Sequence, residues 1–269
     1  MRTSVIVCFY NRLDLLPVCL DSLRSASSEF SEVVIADDGS SDDVVASVQE
    51  LIKKYDFPII HAWHPRQGPR RSATRNNGIR HATGDYLIFI DADFALLPGA
   101  IRSHVEAARP GYFAAGRCKY TTEAQCRRIL AEGASDSLLE TIYAGLSEEP
   151  IEKEHRRFTR YSLLYKLFLA PARKVIFGGH FSAFRQDIEA INGYDENFIG
   201  WGGEDVDFAI RMVRRGIRGT SVIKTARVLH LWHTSEMEGQ HWKEGANMEY
   251  YSRRKIPVFC EKGLIHKSS

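Results

Sequence analysis

Tyr86-Leu-Ile-Phe-Ile-Asp-Ala-Asp93 is the stretch on which the fold turns. Tyr86 to Ile90 reads as a strong strand of β-branched, aromatic and aliphatic residues, and it runs straight into two carboxylates one residue apart. Two carboxylates on one turn can hold a divalent ion against a diphosphate. Standing alone, the same pair also reads as a solvated turn that merely ends the strand.

Upstream, short β-branched runs alternate with helical patterns, which predicts βαβ units around a mostly parallel sheet, an α/β fold. Ser4 to Phe9 is the first strand. Asp14 is placed to cap a helix whose Leu16, Cys19, Leu20 and Leu23 share one face, with Pro17 tolerated in the first turn. Glu32 to Ala36 is the second strand, and Asp37-Asp-Gly-Ser-Ser41 breaks it. Ser40 and Asp43 then have capping-box spacing for a helix carrying Val44, Val48, Leu51 and Tyr55. A strand at Ile59 to Ala62 follows, then a basic loop and a helix over Ser72 to His81.

Ligands of open α/β sheets bind beyond the carboxyl ends of the strands, so Tyr10, Asp38, Asp91 and Asp93 are expected to converge there. Asp38 can accept hydrogen bonds from a base or a ribose, although a strand-ending turn is an equally plain reading of its motif. Gly68 to Asn77, with Arg75, supplies guanidinium groups and a helix N-terminus suited to phosphate oxygens.

Downstream, residues 121–174 blur into charged and amphipathic pieces. The segment Phe177-Gly-Gly-His-Phe-Ser-Ala-Phe184, continuing to Gly200-Trp-Gly-Gly-Glu-Asp-Val-Asp207, is richer. Val206, Ala209, Ile210 and Val213 give a helical stripe, which places Glu204 and Asp205 in a first turn, where the helix dipole favours carboxylates. Asp205 is expected to accept a proton from a hydroxyl, Glu204 to hydrogen-bond hydroxyls, and Trp201 to offer an apolar face to a pyranose. Gly179 and Gly203 permit close backbone approach to a substrate. Asp207 with Arg211 reads as an i,i+4 surface pair. In Val228-Leu-His-Leu-Trp-His233, His230 and His233 lie three apart just past a strand; with Asp93 they favour Mn2+, with Mg2+ the alternative.

With 269 residues and 44% hydrophobic content, the chain can bury a substantial core. A net charge of +2 gives no global case for nucleic-acid binding. Five cysteines without a CxxC pair read as reduced, buried thiols. No signal peptide is evident, and no stretch approaches the roughly 20 apolar residues of a spanning helix, so a cytoplasmic protein is expected. The basic and aromatic stretch 155–174 suggests either peripheral membrane contact or, more simply, a helix packed on the domain.

Taken together, the opening Ser-Val-Ile-Val-Cys-Phe-Tyr-Asn, the Asp-Asp-Gly-Ser turn, Arg75-Asn76 with Gly78, and the strand ending in Asp91-Ala-Asp93 resemble inverting family-two glycosyltransferases of the GT-A class. The second half is similar to the lobe shared by β-1,4-galactosyltransferases and polypeptide GalNAc-transferases. The resemblance spans about Thr3 to His233. It implies a nucleotide-sugar half at 1–110, an acceptor-binding and catalytic half at 111–235 and a tail at 236–269.

It further implies a UDP-sugar donor, with Tyr10 and Asp38 on the uracil or ribose, Asp91 on the ribose side, Arg75 among the donor-binding groups and Asp93 on the metal. Asp205 matches the base position, Glu204 the acceptor-binding acid and Trp201 the acceptor-side aromatic; either His230 or His233 matches a metal histidine. The acceptor is then a growing polysaccharide, a lipid-linked sugar or a peptide. Cys8 departs from a commonly small hydroxyl residue, and Glu-Asp after Gly-Gly favours inversion. Two other classes stand beside this reading. A nucleotidyltransferase calls for a Gly-rich loop and a lysine after the first strand, where Tyr10-Asn-Arg-Leu stands instead. A non-catalytic nucleotide-sugar or glycan binding module would never release nucleotide diphosphate.

Overall fold

Alternation in the first hundred residues is realised as β1 (Thr3–Phe9), α1 (Leu16–Ser22), β2 (Glu32–Asp37), α2 (Asp42–Ile52), β3 (Ile59–Trp63), α3 (Arg71–His81) and β4 (Tyr86–Asp91). The computed structural model describes residues 1–167, 179–200, 202–234, 247–253 and 255–266. Further along come β5 (Phe94–Leu96), α4 (Ala100–Glu106), β6 (Tyr112–Ala115), β7 (Lys119–Tyr120), α5 (Glu123–Glu132), α6 (Asp136–Gly145) and α7 (Glu149–Lys166). The last elements are β8 (His180–Phe184), α8 (Arg185–Glu189), α9 (Glu204–Arg214), β9 (Arg218–Ser221), β10 (Val228–His230) and α10 (Asn247–Tyr251).

The main sheet has the order β3-β2-β1-β4-β8-β6-β9. β1, β2, β3 and β4 pair in parallel, as do β6 and β9, while β8 runs antiparallel to both its neighbours. Helices cover both faces, which is why β1, β2 and β4 are buried almost end to end. Along β1, Ile6 joins one core cluster while Val5, Val7 and Phe9 join the other, so the two-residue period divides the strand between the faces. Gly78 brings α3 down onto the sheet: a Cβ there would lie 2.7 Å from Ile6 Cγ2 and 3.0 Å from the Ala36 methyl.

Strands run slightly further than the sequence pattern implies. Asp37 and Asp91 belong to β2 and β4 because Phe9 and Cys8 of β1 stand opposite them in parallel register.

Two expected helix caps are not made. Asp14 is exposed and the cap of α1 is Leu15, because Arg12 O already accepts from the amides of Leu15 and Leu16. Ser40 does not cap α2, whose cap is Ser41; its Oγ instead accepts from Asn11 N at 2.9 Å in the loop leaving β1.

Residues 121–166 contain three helices. A capping box of Thr122 and Gln125 starts α5, and α5 and α6 cover a second, three-stranded sheet of order β5-β10-β7. Ile151 and Phe158 of α7 are buried and Tyr161 and Tyr165 pack against the main core, so this helix lies on the domain. The remainder of the 155–174 stretch, from 168 on, is outside the described residues. Among the described residues no helix is long and apolar enough to cross a membrane. All five cysteines are free thiols, four of them buried and Cys8 partly so.

Candidate active site and metal centre

β4 ends at Asp91 and β5 begins at Phe94, which leaves Asp93 on the turn between two sheets. In the small sheet Phe94 stands opposite His230, and Leu231 N donates to Asp93 O at 2.8 Å. This pairing carries the histidine segment to the carboxylate. Asp93 Oδ2 lies 3.0 Å from His233 Nε2 and 3.6 Å from His230 Nε2. Among the described residues these three form a cluster whose ligand atoms all lie within 4.8 Å of one another.

The donor set suits a divalent cation. Each histidine Nδ1 is 3.0 Å from a backbone carbonyl, His230 from Leu231 O and His233 from Thr234 O. On His230 a proton donated there leaves the Nε2 lone pair for an ion; His233 Nδ1 also faces Arg12 Nη2, which can only donate, and its Nε2 donates to Asp93 until an ion takes that place. Asp93 Oδ1 is buried with no hydrogen-bond partner among the described residues, an orphaned charge that a cation would satisfy. Burial pushes the Asp93 carboxyl up, but the hydrogen bond to His233 and the nearby imidazoles outweigh it and hold the group below its usual range. His233 is raised in turn, chiefly by that hydrogen bond.

Arg75 is the hub behind the carboxylates. Its guanidinium is 2% exposed; Nη1 lies 3.2 Å from Asp205 Oδ1 and 3.4 Å from Glu204 Oε1, and Nη2 lies 3.9 Å from Asp91 Oδ1. The arginine from the basic loop region is thus engaged by acids, which ties β4 to the first turn of α9. Asp91 is pushed up to about 6 by burial and by the charge of Asp93, against the pull of Arg75. Glu204 is raised by burial and by Asp205. Gly179 is the neighbour that admits Asp91, since a Cβ there would fall 2.2 Å from its Oδ2.

Further along the same carboxyl edge of the sheet, Asp38 accepts from Arg66 Nη1 at 3.0 Å, Thr74 Oγ1 at 3.0 Å and Arg70 N at 3.1 Å. The Arg66 guanidinium also lies 3.8 Å from the Tyr10 ring centroid. Tyr10 and Asp38 therefore meet around one arginine, beyond the carboxyl ends of β1 and β2.

Glu204 and Asp205 occupy the first turn of α9, as the stripe implied, and Gly203 caps it at φ 92. The side chain of Asp205 is 19% exposed, against 4% for Glu204. Trp201 lies outside the described residues. Asp207 and Arg211 correct a sequence expectation: they are not a surface pair but fully buried, Nε to Oδ2 at 2.6 Å. Arg211 Nη1 also donates to Ile191 O and Gly193 O, both at 2.8 Å, and Arg253 Nη2 to Asp207 Oδ1 at 2.6 Å. The i,i+4 spacing was right, but burial is decided by what packs on the helix.

A family model described as glycosyl transferase family 2 matches residues 4–189, more than half of the chain. The chain belongs to glycosyl transferase family 2. A second model, described as the N-terminal domain of galactosyltransferase, matches residues 164–234, the span holding Glu204, Asp205 and both histidines. Chondroitin synthase of Escherichia coli is 26% identical over 275 residues, which cover 96% of this chain and 39% of that protein. The chain spans well under half the length of that relative.

The fold is GT-A. A mannosyltransferase from Pyrobaculum calidifontis, solved in complex with GDP-Man and Mn2+, superposes with a TM-score of 0.59 at 18% identity, covering 87% of this chain and 58% of that one. GalNAc-T7, solved with UDP, GalNAc and Mn2+, gives 0.59 at 15% identity over 90% of this chain and 46% of that one.

Two site residues escaped the sequence reading. Arg12 Nη2 reaches His233 Nδ1 and Thr234 O, each at 3.0 Å. Thr121 brackets the histidine segment, its N donating to His230 O at 2.9 Å and its Oγ1 accepting from Trp232 N at 2.9 Å. Neither sits in a motif, and only the pairing of distant segments reveals them.

Proposed function

We propose that the chain transfers a hexose or N-acetylhexosamine from a UDP-sugar to a hydroxyl of a glycan, a lipid-linked sugar or a peptide, with inversion at the anomeric carbon. The observation that carries this is the continuity of Asp93, His230 and His233, through Asp91 and Arg75, to the partly exposed Asp205. Asp93 and the two imidazoles are the residues to hold Mn2+ or Mg2+, and the ion would supply positive charge against the departing diphosphate. Tyr10 and Asp38 bind the nucleoside, Gly179, Gly203 and Glu204 serve the sugar and acceptor side, and Trp201 is assigned to the acceptor by the family resemblance alone. The acceptor oxygen bonds to the anomeric carbon as its bond to the diphosphate breaks; Asp205 takes the hydroxyl proton, and nucleotide diphosphate leaves.

Loss of a general base typically costs about 10²–10⁴-fold in rate. Asp205→Asn is therefore expected to lower UDP release by that factor in the presence of Mn2+, with the nucleotide still bound. Wild-type turnover in this variant would remove Asp205 from the role. A β-linked product from an α-linked donor, read by NMR, is the expected stereochemistry.

A further inference from the structure

Residues 247–266 lie beyond both matched segments, yet their described part is fastened to the loop leading into α9. Asn247 is 3% exposed and uses both ends of its amide: Nδ2 donates to Gly202 O at 2.9 Å, and Oδ1 accepts from Ile199 N at 3.0 Å. A carbonyl on one side and an N–H on the other fix the orientation of the amide. One side chain thus pins the backbone on either side of position 201.

Tyr250 and Arg253 hold the flanks. Tyr250 OH donates to Asp195 Oδ2 at 2.8 Å and accepts from Asn197 Nδ2 at 3.1 Å. Arg253 Nη2 spans Asp207 Oδ1 at 2.6 Å and Asp195 Oδ2 at 3.3 Å, which joins α9 to the segment before the loop. Both carboxylates are almost wholly buried, so this charge is matched inside the protein rather than in water.

We propose that Asn247 and Arg253 are positioning residues for the transfer: they hold the backbone at Ile199 and Gly202 and the first turn of α9, and so set where Glu204 and Asp205 stand against the acceptor. This rests on the reading of Asp205 as the base. A loop of glycines has many conformations to lose, and hydrogen bonds that fix it in advance keep the base aligned during the reaction.

Asn247→Asp keeps the size and the acceptor oxygen but faces Gly202 O with an oxygen in place of a donor. Hydrogen exchange in peptides covering 199–205 is expected to rise about ten-fold in this variant while 86–93 stays as in the wild type. kcat/KM for UDP release is expected to fall about ten-fold, with Kd for Mn2+ plus UDP, by calorimetry, changed less than about two-fold. Arg253→Lys is expected to stay near the wild type and Arg253→Met to fall with Asn247→Asp. Unchanged exchange at 199–205 in Asn247→Asp overturns the proposal, and so does a loosened turn with unaltered kcat/KM. Asp205→Asn separates the two ideas: wild-type turnover there ends the base assignment alone, and a wild-type protein silent with every UDP-sugar counts against the donor, while the exchange data still decide the clamp.

Discussion

Asp93 is held by two histidines more than a hundred positions away; His230 has its Nδ1 committed to a carbonyl, and His233 Nδ1 lies between Thr234 O and Arg12 Nη2. Because both Nε2 atoms face the same carboxylate oxygen, both rings are expected to ligate. His230→Ala and His233→Ala should each weaken Mn2+ binding about ten-fold or more, read by calorimetry; an unaltered Kd in either variant would leave a single-histidine site. The spacing of His230 and His233 is visible in the chain, but their choice of partner is not. Arg75 makes the same point from the other side: its basic loop pointed to phosphate, and its guanidinium lies among Asp91, Glu204 and Asp205, because α3 carries it inward beneath them.

α9 is placed by burial of one charge pair. Arg211 and Asp207 are fully buried, and the arginine also holds two carbonyls of the 191–193 turn. Removing Arg211 leaves Asp207 with Arg253 alone and two buried carbonyls without their donor, and breaking a buried pair costs about 3–5 kcal/mol. Arg211→Met is therefore expected to lower the unfolding free energy by about that amount in a urea titration; a loss under about 1 kcal/mol, the range of exposed pairs, would place the pair in solvent. The helical stripe of α9 and the runs of β1, β2 and β4 were legible because each reflects a local period. α5 and α6 were not, and α7 only in its second half, read as a helix packed on the domain: their apolar positions acquire meaning only against β5, β10 and the main core.

At the level of the whole molecule, a buried chain of hydrogen bonds crosses the sheet. Tyr86 OH lies 2.6 Å from Ser182 Oγ, which is 2.7 Å from His104 Nδ1; His104 Nε2 is 3.0 Å from His180 Nε2, and His180 Nδ1 is 2.9 Å from Arg117 O. The carbonyl at the end accepts only, so His180 Nδ1 carries a proton, and with both buried imidazoles neutral the donors run in one direction from Tyr86. Burial holds His180 down at about 4 and His104 well below its usual value. The unfolded chain binds these protons near 6.5, so the stabilisation is complete above that pH and is lost as pH falls toward 4.

The shift at His180 alone corresponds to roughly 3 kcal/mol. Urea unfolding is expected to show stability falling between pH 6.5 and 4.5, with a shallower slope in His180→Asn; equal slopes would assign the acid loss to other groups. No pattern along the chain announces this network, since its members come from β4, β8, α4 and the β6–β7 connection. Local order along the chain was enough for the α/β class, the strands that end in carboxylates, and Glu204 and Asp205 in a first turn, all properties carried by neighbours within one helical turn or one strand. Which cations and imidazoles those carboxylates meet came from folding alone, because charge pairing and burial are set by distance in space between segments the chain keeps far apart.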